Sequence, residues 1–221
     1  MMTNLFSIFD PSSIMNLSMN WISLLIIMMF MPINLFLIPN RFYMMIMNTI
    51  NKMSFELTLI FKNNKFILIP ISMFIMISFN NFFTLPPYIF CATSHLQMNM
   101  LLSLPIWLSF ILMGWIHSTN NMFIHMVPKG TPSYLISFMV LIETISNMIR
   151  PLTLTVRLTA NLIAGHLLLN LMSSMTNNLN SKSIPILIMS QSILMSLESG
   201  VAIIQAYVFM ILISLYFMDS N

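Results

Sequence analysis

YLISFMVLIETISNMIRPLTLTVRLTANLIAGHLLLNLM, residues 134–172, is apolar enough for a bilayer yet carries Glu143, Arg150, Arg157, Asn161 and His166. A charged side chain near the bilayer centre costs about 2.5–3.5 kcal/mol on insertion scales. Two arginines and a glutamate in one such segment therefore need a reason. Glu143, Arg150 and Arg157 stand seven residues apart, and Asn161 follows four later. On a helix of about 3.6 residues per turn, seven positions return a side chain to within about 20° of its start. The ionisable groups thus share one stripe, and the other faces are left to Leu, Ile, Met and Val. As one helix, the 39 residues extend about 58 Å at about 1.5 Å per residue. A hydrocarbon core about 30 Å thick leaves two solutions: a break at Pro151, or a slant well beyond the usual ~20°. The polar stripe continues in register through Pro151, which favours the slant.

The whole chain supports that reading. With 58% hydrophobic and only 6% charged residues, and a mean hydropathy of +0.90, it is an integral membrane protein. The net charge of +3 comes from eight basic and five acidic side chains with no basic cluster, so no nucleic-acid partner is expected. Cys91 is the only cysteine, which excludes an internal disulfide and reads as a buried free thiol. The opening MMTNLFSIFDPSS has neither an Arg-rich presequence nor a basic region ahead of its first apolar run. Twenty-six Met against four Gly is the bias of an organelle-encoded protein.

The expected architecture is all-α: one membrane domain over 1–221, with about five membrane helices and one surface helix. The spans are 21–38, 66–85, 98–116, 134–172 and 184–218. Over 42–62, Phe42, Ile46, Ile50, Met53, Leu57 and Ile60 recur at three- and four-residue steps, as in an amphipathic helix lying on the membrane surface. Pro86-Pro87 closes the second span, Pro105 marks a kink in the third, and 117–133 is a loop carrying His117 and His125. Asn80 and Asn81 near the end of the second span either border an aqueous pocket or are hydrated at a helix end. Arg41, Lys52, Lys62 and Lys65 follow the first span, while the N-terminal tail and the loop after the second span have no Lys or Arg. The basic segment belongs inside, which puts the N-terminus outside and the C-terminus inside. Glu143 then lies nearer the inside and Glu198 toward the outer half.

The last apolar stretch repeats the polar device: Gln191, Glu198 and Gln205 are seven residues apart. Folded back as a long, steeply tilted, antiparallel pair with its predecessor, it brings Arg157 opposite Gln205 and His166 opposite Glu198. Ala160, Ala164, Ser196, Gly200, Ala202 and Ala206 accompany the stripes, and small residues let helices approach closely in lipid.

Intramembrane carboxylates, His and amides are the parts of proton relays. Arginine is not a carrier, because its pKa stays above about 12. Arg157 instead separates an inner acid from an outer one and attracts a partner's carboxylate. Glu143 is about 21 Å away along the same helix, too far to neutralise it. Arg150 is the better structural or exit-side charge. His95, His117 and His125 lack the paired intrahelical spacing of a haem site. No nucleophilic triad, phosphate loop or zinc motif is present, so neither cofactor, metal nor independent catalysis is expected.

RLTANLIAGH (157–166), ETISNMIRP (143–151) and LESGVAIIQAYVF (197–209), with NFFTLPPYIF (81–90) and MVPKGTP (126–132), resemble subunit a of the mitochondrial F-type ATP synthases. The resemblance covers nearly the whole chain. It implies a non-catalytic stator subunit of the inner mitochondrial membrane, whose partners are the rotor c-ring, the peripheral stalk, other F0 membrane subunits, protons and lipid. By that resemblance Arg157 is the essential arginine facing the ring. Glu198, His166 and Asn161 belong to the outer proton half-channel, Glu143 to the matrix-side exit, and Gln205 lies near the arginine. The alternative, an antiporter-like proton-pumping subunit of a respiratory complex, predicts more spans and lysines buried within them. A purely structural assembly subunit would need no polar stripes.

Overall fold

The computed structural model describes residues 6, 9–12, 18–29, 38–61, 66–86, 89–117, 119–127, 132–175 and 184–220. Every regular element among them is helical. Seven α-helices follow in order: α1 (Ile22–Met29), α2 (Arg41–Ile60), α3 (Leu68–Phe83), α4 (Leu96–His117), α5 (Thr119–Met126), α6 (Ile136–Met175) and α7 (Ile184–Ser220). Short 3-10 turns cover Met19–Trp21, Ala92–Ser94 and Ser133–Leu135.

α4, α6 and α7 are each long and apolar enough to cross a membrane, and α3 is a shorter apolar helix of 16 residues. The described part of the first expected span ends at Met29, and residues 30–37 lie outside the described residues. The 42–62 helix appears as Arg41–Ile60, with residue 62 outside the described set. Its Leu57 is fully buried, while Phe55 on the other side is 68% exposed.

α6 is one unbroken helix of 40 residues with Pro151 inside it. Proline has no N–H to give to the carbonyl four residues earlier, here that of Asn147, yet the helix continues on both sides. Pro151, Leu154, Thr155, Leu158, Thr159 and Leu162 repeat at three- and four-residue steps and are the buried face. Thr155 and Thr159 return their hydroxyls to the carbonyls of Leu152 and Val156, at 2.7 and 3.0 Å, so their polar atoms are satisfied within the helix.

α7 is antiparallel to α6. His166 meets Glu198, Arg157 shares a crevice with Gln205, and Arg150 lies over the Tyr216 ring. The partner number rises on α7 as it falls on α6. On its other side α7 packs against α3, and α6 also packs against α4. Where these helices meet, Phe217 is the hub of an aromatic cluster, with ring centroids 5.0, 4.7 and 5.4 Å from those of Phe61, Phe66 and Phe110. Leu158, Ala206, Phe209 and Met210 complete the buried core.

The outer surface is as apolar as this core. Leu101, Leu112, Ile116, Ile186, Met189 and Ile193 are each at least 58% exposed, as on a surface that faces lipid or a partner subunit rather than water.

One departure from the sequence-based expectation is α5, a helix of eight residues inside the stretch read as a loop. So short a helix is marginal on its own. Here Phe123 stands edge-on to Trp115, ring centroids 5.2 Å apart, and Met122 and Met126 turn with α6 toward a common cavity. Tertiary contact, invisible to local periodicity, holds it.

Candidate functional site

The polar residues of α6 and α7 fall into three groups. In the first, His166 Nε2 lies 3.9 Å from Glu198 Oε1, and the side chains are only 12% and 6% exposed. That separation is beyond a hydrogen bond. Neither Glu198 oxygen nor His166 Nε2 has a hydrogen-bond partner among the described residues. Two buried polar groups held near one another without protein partners are costly as structure, and that cost points to a role.

Gly165 explains how the carboxyl reaches its place. A Cβ on Gly165 would stand 2.5 Å from Glu198 Oε1 and 2.7 Å from its carboxyl carbon. The glutamate lies directly on the α6 backbone, and a side chain at position 165 would require its carboxyl to swing aside. Glycine inside a helix costs about 1 kcal/mol relative to alanine, so in a chain with four glycines its position beside His166 was a signal the spacing argument did not use. Gly165→Ala is expected to leave the helices intact but push the Glu198 carboxyl away from His166. A structure of the variant should show the carboxyl displaced from His166; an unmoved carboxyl would show that the glycine is not what seats it.

In the second group Arg157 is exposed, and no ion pair or hydrogen bond engages its guanidinium among the described residues. It borders a narrow crevice with Gln205, Leu154, Leu158, Val208 and Phe209. Around it the exposed face consists of Leu152, Val156, Ala160 and Ala164 on α6, with Leu197, Gly200 and Ile204 on α7. A Cβ on Gly200 would meet nothing within 4 Å. The cation thus sits on an apolar face shaped by small residues, and Asn161, half-buried, follows one turn later.

In the third group Arg150 Nη2 is 3.6 Å from Glu143 Oε1, with the side chains 38% and 35% exposed, and its guanidinium lies 5.9 Å from the centre of the Tyr216 ring. Glu143 is therefore partnered by Arg150, the cation one heptad away, and not by Arg157. At this exposure such a pair stabilises by at most about 1 kcal/mol.

Asn81 stands apart on α3. It is fully buried, its side-chain nitrogen and oxygen have no partner among the described residues, and Asn80 beside it is 2% exposed. Hydration at an open helix end is thus not its situation. A run of buried polar residues continues from it: the Thr84 hydroxyl donates to the Asn81 carbonyl at 2.9 Å, and Asn99 Nδ2 donates to the Thr93 carbonyl at 2.8 Å. Sequence spacing missed this turn because its members obey no helical period. Burial pushes the Cys91 thiol up from its ordinary value, making it an inert part of the same turn. Among the described residues no cluster of His, Cys, Asp or Glu could hold a metal ion.

Residues 14–218 match the family described as "ATP synthase A chain". The chain is 52% identical to "ATP synthase subunit a" of Locusta migratoria, with 98% of each chain covered. It is 50% identical to that of Drosophila melanogaster and 51% identical to that of Anopheles quadrimaculatus, both over the full length of each chain. A match extending through every helix that carries the polar groups places this chain in the ATP synthase subunit a family.

Proposed function

We propose that this chain is the proton-conducting stator subunit of a mitochondrial F-type ATP synthase, in which Arg157 separates two offset aqueous half-channels beside a rotating c-ring. The observation that carries the reading is the contrast between the two arginines. Arg150 is neutralised by Glu143 within the chain; Arg157 is unpaired among the described residues and faces outward on a small-residue surface. A guanidinium in lipid costs about 2.5–3.5 kcal/mol or more, and a carboxylate on a rotor helix packed against Ala160, Ala164 and Gly200 offsets that cost.

The mechanism follows from the order of groups. Asn81, Asn161, His166 and Glu198 line the outer passage, where a proton reaches the His166–Glu198 pair. It passes to an ionised rotor carboxylate beside Arg157, with Gln205 opposite. Neutralised, that carboxylate leaves the arginine and turns into lipid. After nearly a full rotation another rotor carboxylate releases its proton toward Glu143, whose partner Arg150 holds the exit side. A guanidinium carries N–H donors and no acceptor, so Arg157 blocks direct passage between the two sides. Each unit charge crossing delivers about 2.3 kcal/mol per 100 mV. The subunit is itself non-catalytic and works only with the c-ring, the peripheral stalk and the other F0 membrane subunits.

Two unbroken helices of 40 and 37 residues are about 60 and 55 Å long, and a core about 30 Å thick accommodates them at a steep slant. The N-terminus is in the intermembrane space and the C-terminus in the matrix.

A cysteine replacing exposed Ala164 tests the partner. In the assembled complex it is expected to form a disulfide with a cysteine placed on the outer helix of a ring subunit, near that subunit's carboxylate, under mild oxidant. Cross-linking to any other subunit, or to none, would remove the ring from this face.

A further inference from the structure

His95 stands immediately before α4, and its backbone is fixed there: its carbonyl accepts the N–H groups of Met98 and Asn99 at 3.1 and 3.4 Å. The ring lies where the start of α1 meets the turn before α4, at the outer end of the bundle on the orientation proposed above. Its centroid is 5.3 Å from the centroids of both Trp21 and Phe90, and those two rings stand edge-on to each other at 5.6 Å. Inside this aromatic enclosure His95 Nε2 is buried and has no hydrogen-bond partner among the described residues. A phenyl ring would pack in the same place without leaving a buried nitrogen unpaired, so packing alone does not account for an imidazole here.

The turn that His95 closes carries the buried polar run. Asn99, one helical turn further along α4, is 2% exposed and holds the Thr93 carbonyl, and the amide of fully buried Asn81 is unpartnered among the described residues. The depth of this run follows from helix register. α4 is antiparallel to α6: the Thr155 hydroxyl donates to Met100 Sδ at 3.1 Å, and Ser103 shares a crevice with Pro151. Continued in that register, the start of α4 comes beside Thr159 and the turn Ala92–Ser94 beside Asn161, and the turn does pack on α6. His95, Asn99 and Asn81 therefore lie between the outer end and the level of the His166–Glu198 pair. The rings packed on His95 carry no charge. The adjoining titratable groups are the buried Cys91 thiol and exposed Asp10, whose carbonyl accepts from the Asn20 amide, next to Trp21, at 3.4 Å.

We infer that His95 is the proton-collecting residue at the mouth of the outer passage, feeding the buried amides of Asn81 and Asn99 and through them the His166–Glu198 pair. This rests on the proton-conducting reading given above and adds its first step. A neutral imidazole has one N–H donor and one acceptor nitrogen, and proton shuttling is a common use of it. The neutral ring takes a proton from the outer compartment and becomes imidazolium. It then releases a proton inward to water hydrogen-bonded to the Asn81 amide and returns to neutral, with no other bond made or broken. The faces of Trp21 and Phe90 hold the charged ring by cation–π attraction while it waits. Asparagine amides orient water and do not themselves titrate, so the run behind His95 needs a group ahead of it that does.

The test uses the intact ATP synthase complex in vesicles, with ATP synthesis driven by a potassium diffusion potential. His95→Phe keeps a ring between Trp21 and Phe90 and removes both nitrogens. It is expected to assemble in normal amount and to synthesise ATP several-fold more slowly than the native complex. Should it fail to assemble, His95→Gln serves the same purpose. In His95→Ala, added imidazole should restore most of the lost rate while leaving the native rate unchanged, which a merely structural ring would not allow. A native rate in His95→Phe or His95→Gln, or a loss in His95→Ala that imidazole does not relieve, overturns the proposal. Glu198→Gln measured alongside separates the two levels. If it too keeps the native rate, the conduction reading falls and His95 with it; if it is impaired while His95→Phe is not, only the role of His95 falls.

Discussion

Arg157→Ala is expected to abolish proton-driven ATP synthesis while the complex still assembles. Assembly should survive because the guanidinium makes no ion pair within its chain among the described residues. The packing beneath it is built from Leu154, Leu158, Leu162, Ala206 and Phe209. Losing an exposed side chain from that face opens no core cavity, and its effect on stability should stay within about 0.5 kcal/mol. On the proposed mechanism, by contrast, function depends on that positive charge. Without it, a rotor carboxylate would have no reason to ionise at the boundary, and nothing would separate Glu198 from Glu143. Synthesis in reconstituted vesicles should drop below detection, with normal complex on native gels. Arg157→Lys keeps the charge but loses the planar fork, and should restore little. Normal synthesis by Arg157→Ala would refute the assignment of this residue.

Glu198→Gln carries the second-largest expected effect. The amide has nearly the volume of the carboxyl, so the close seat on Gly165 and the neighbouring His166 are retained. What is lost is an atom able to take up and release a proton. A positioned proton-transfer group contributes about 10²–10⁴-fold, and flux through the assembled complex should fall within that range. Glu198→Asp, one methylene shorter, withdraws the carboxyl from Gly165 and His166 and should be intermediate. Flux in Glu198→Gln equal to the native value would remove Glu198 from the path. Gly165→Ala separates the two causes, since it keeps the carboxyl's chemistry and changes only where it stands.

Much of this site is legible in one dimension because two helical periods write it there. Heptad spacing puts Glu143, Arg150 and Arg157 on one stripe of α6, and Glu198 and Gln205 on one stripe of α7. An antiparallel return then pairs His166 with Glu198 and Arg157 with Gln205 whatever the side-chain details. The α6–α7 contacts follow that register. Pro151 is a case where local preference loses: the residue that usually ends or kinks a helix sits buried inside one that continues for 40 residues.

Composition and periodicity alone determined that this is an all-helical membrane protein with two long polar-striped helices, because both depend only on hydropathy and on 3.6 residues per turn. Three features had to wait for the tertiary structure. Glu198 rests on Gly165; α5 folds against Trp115; α3 finds α7 as its main partner. Each depends on contact between separate helices, where Met, Ile, Leu and Phe are nearly interchangeable by hydropathy. Only shape and the direction of individual side chains decide which of them meet.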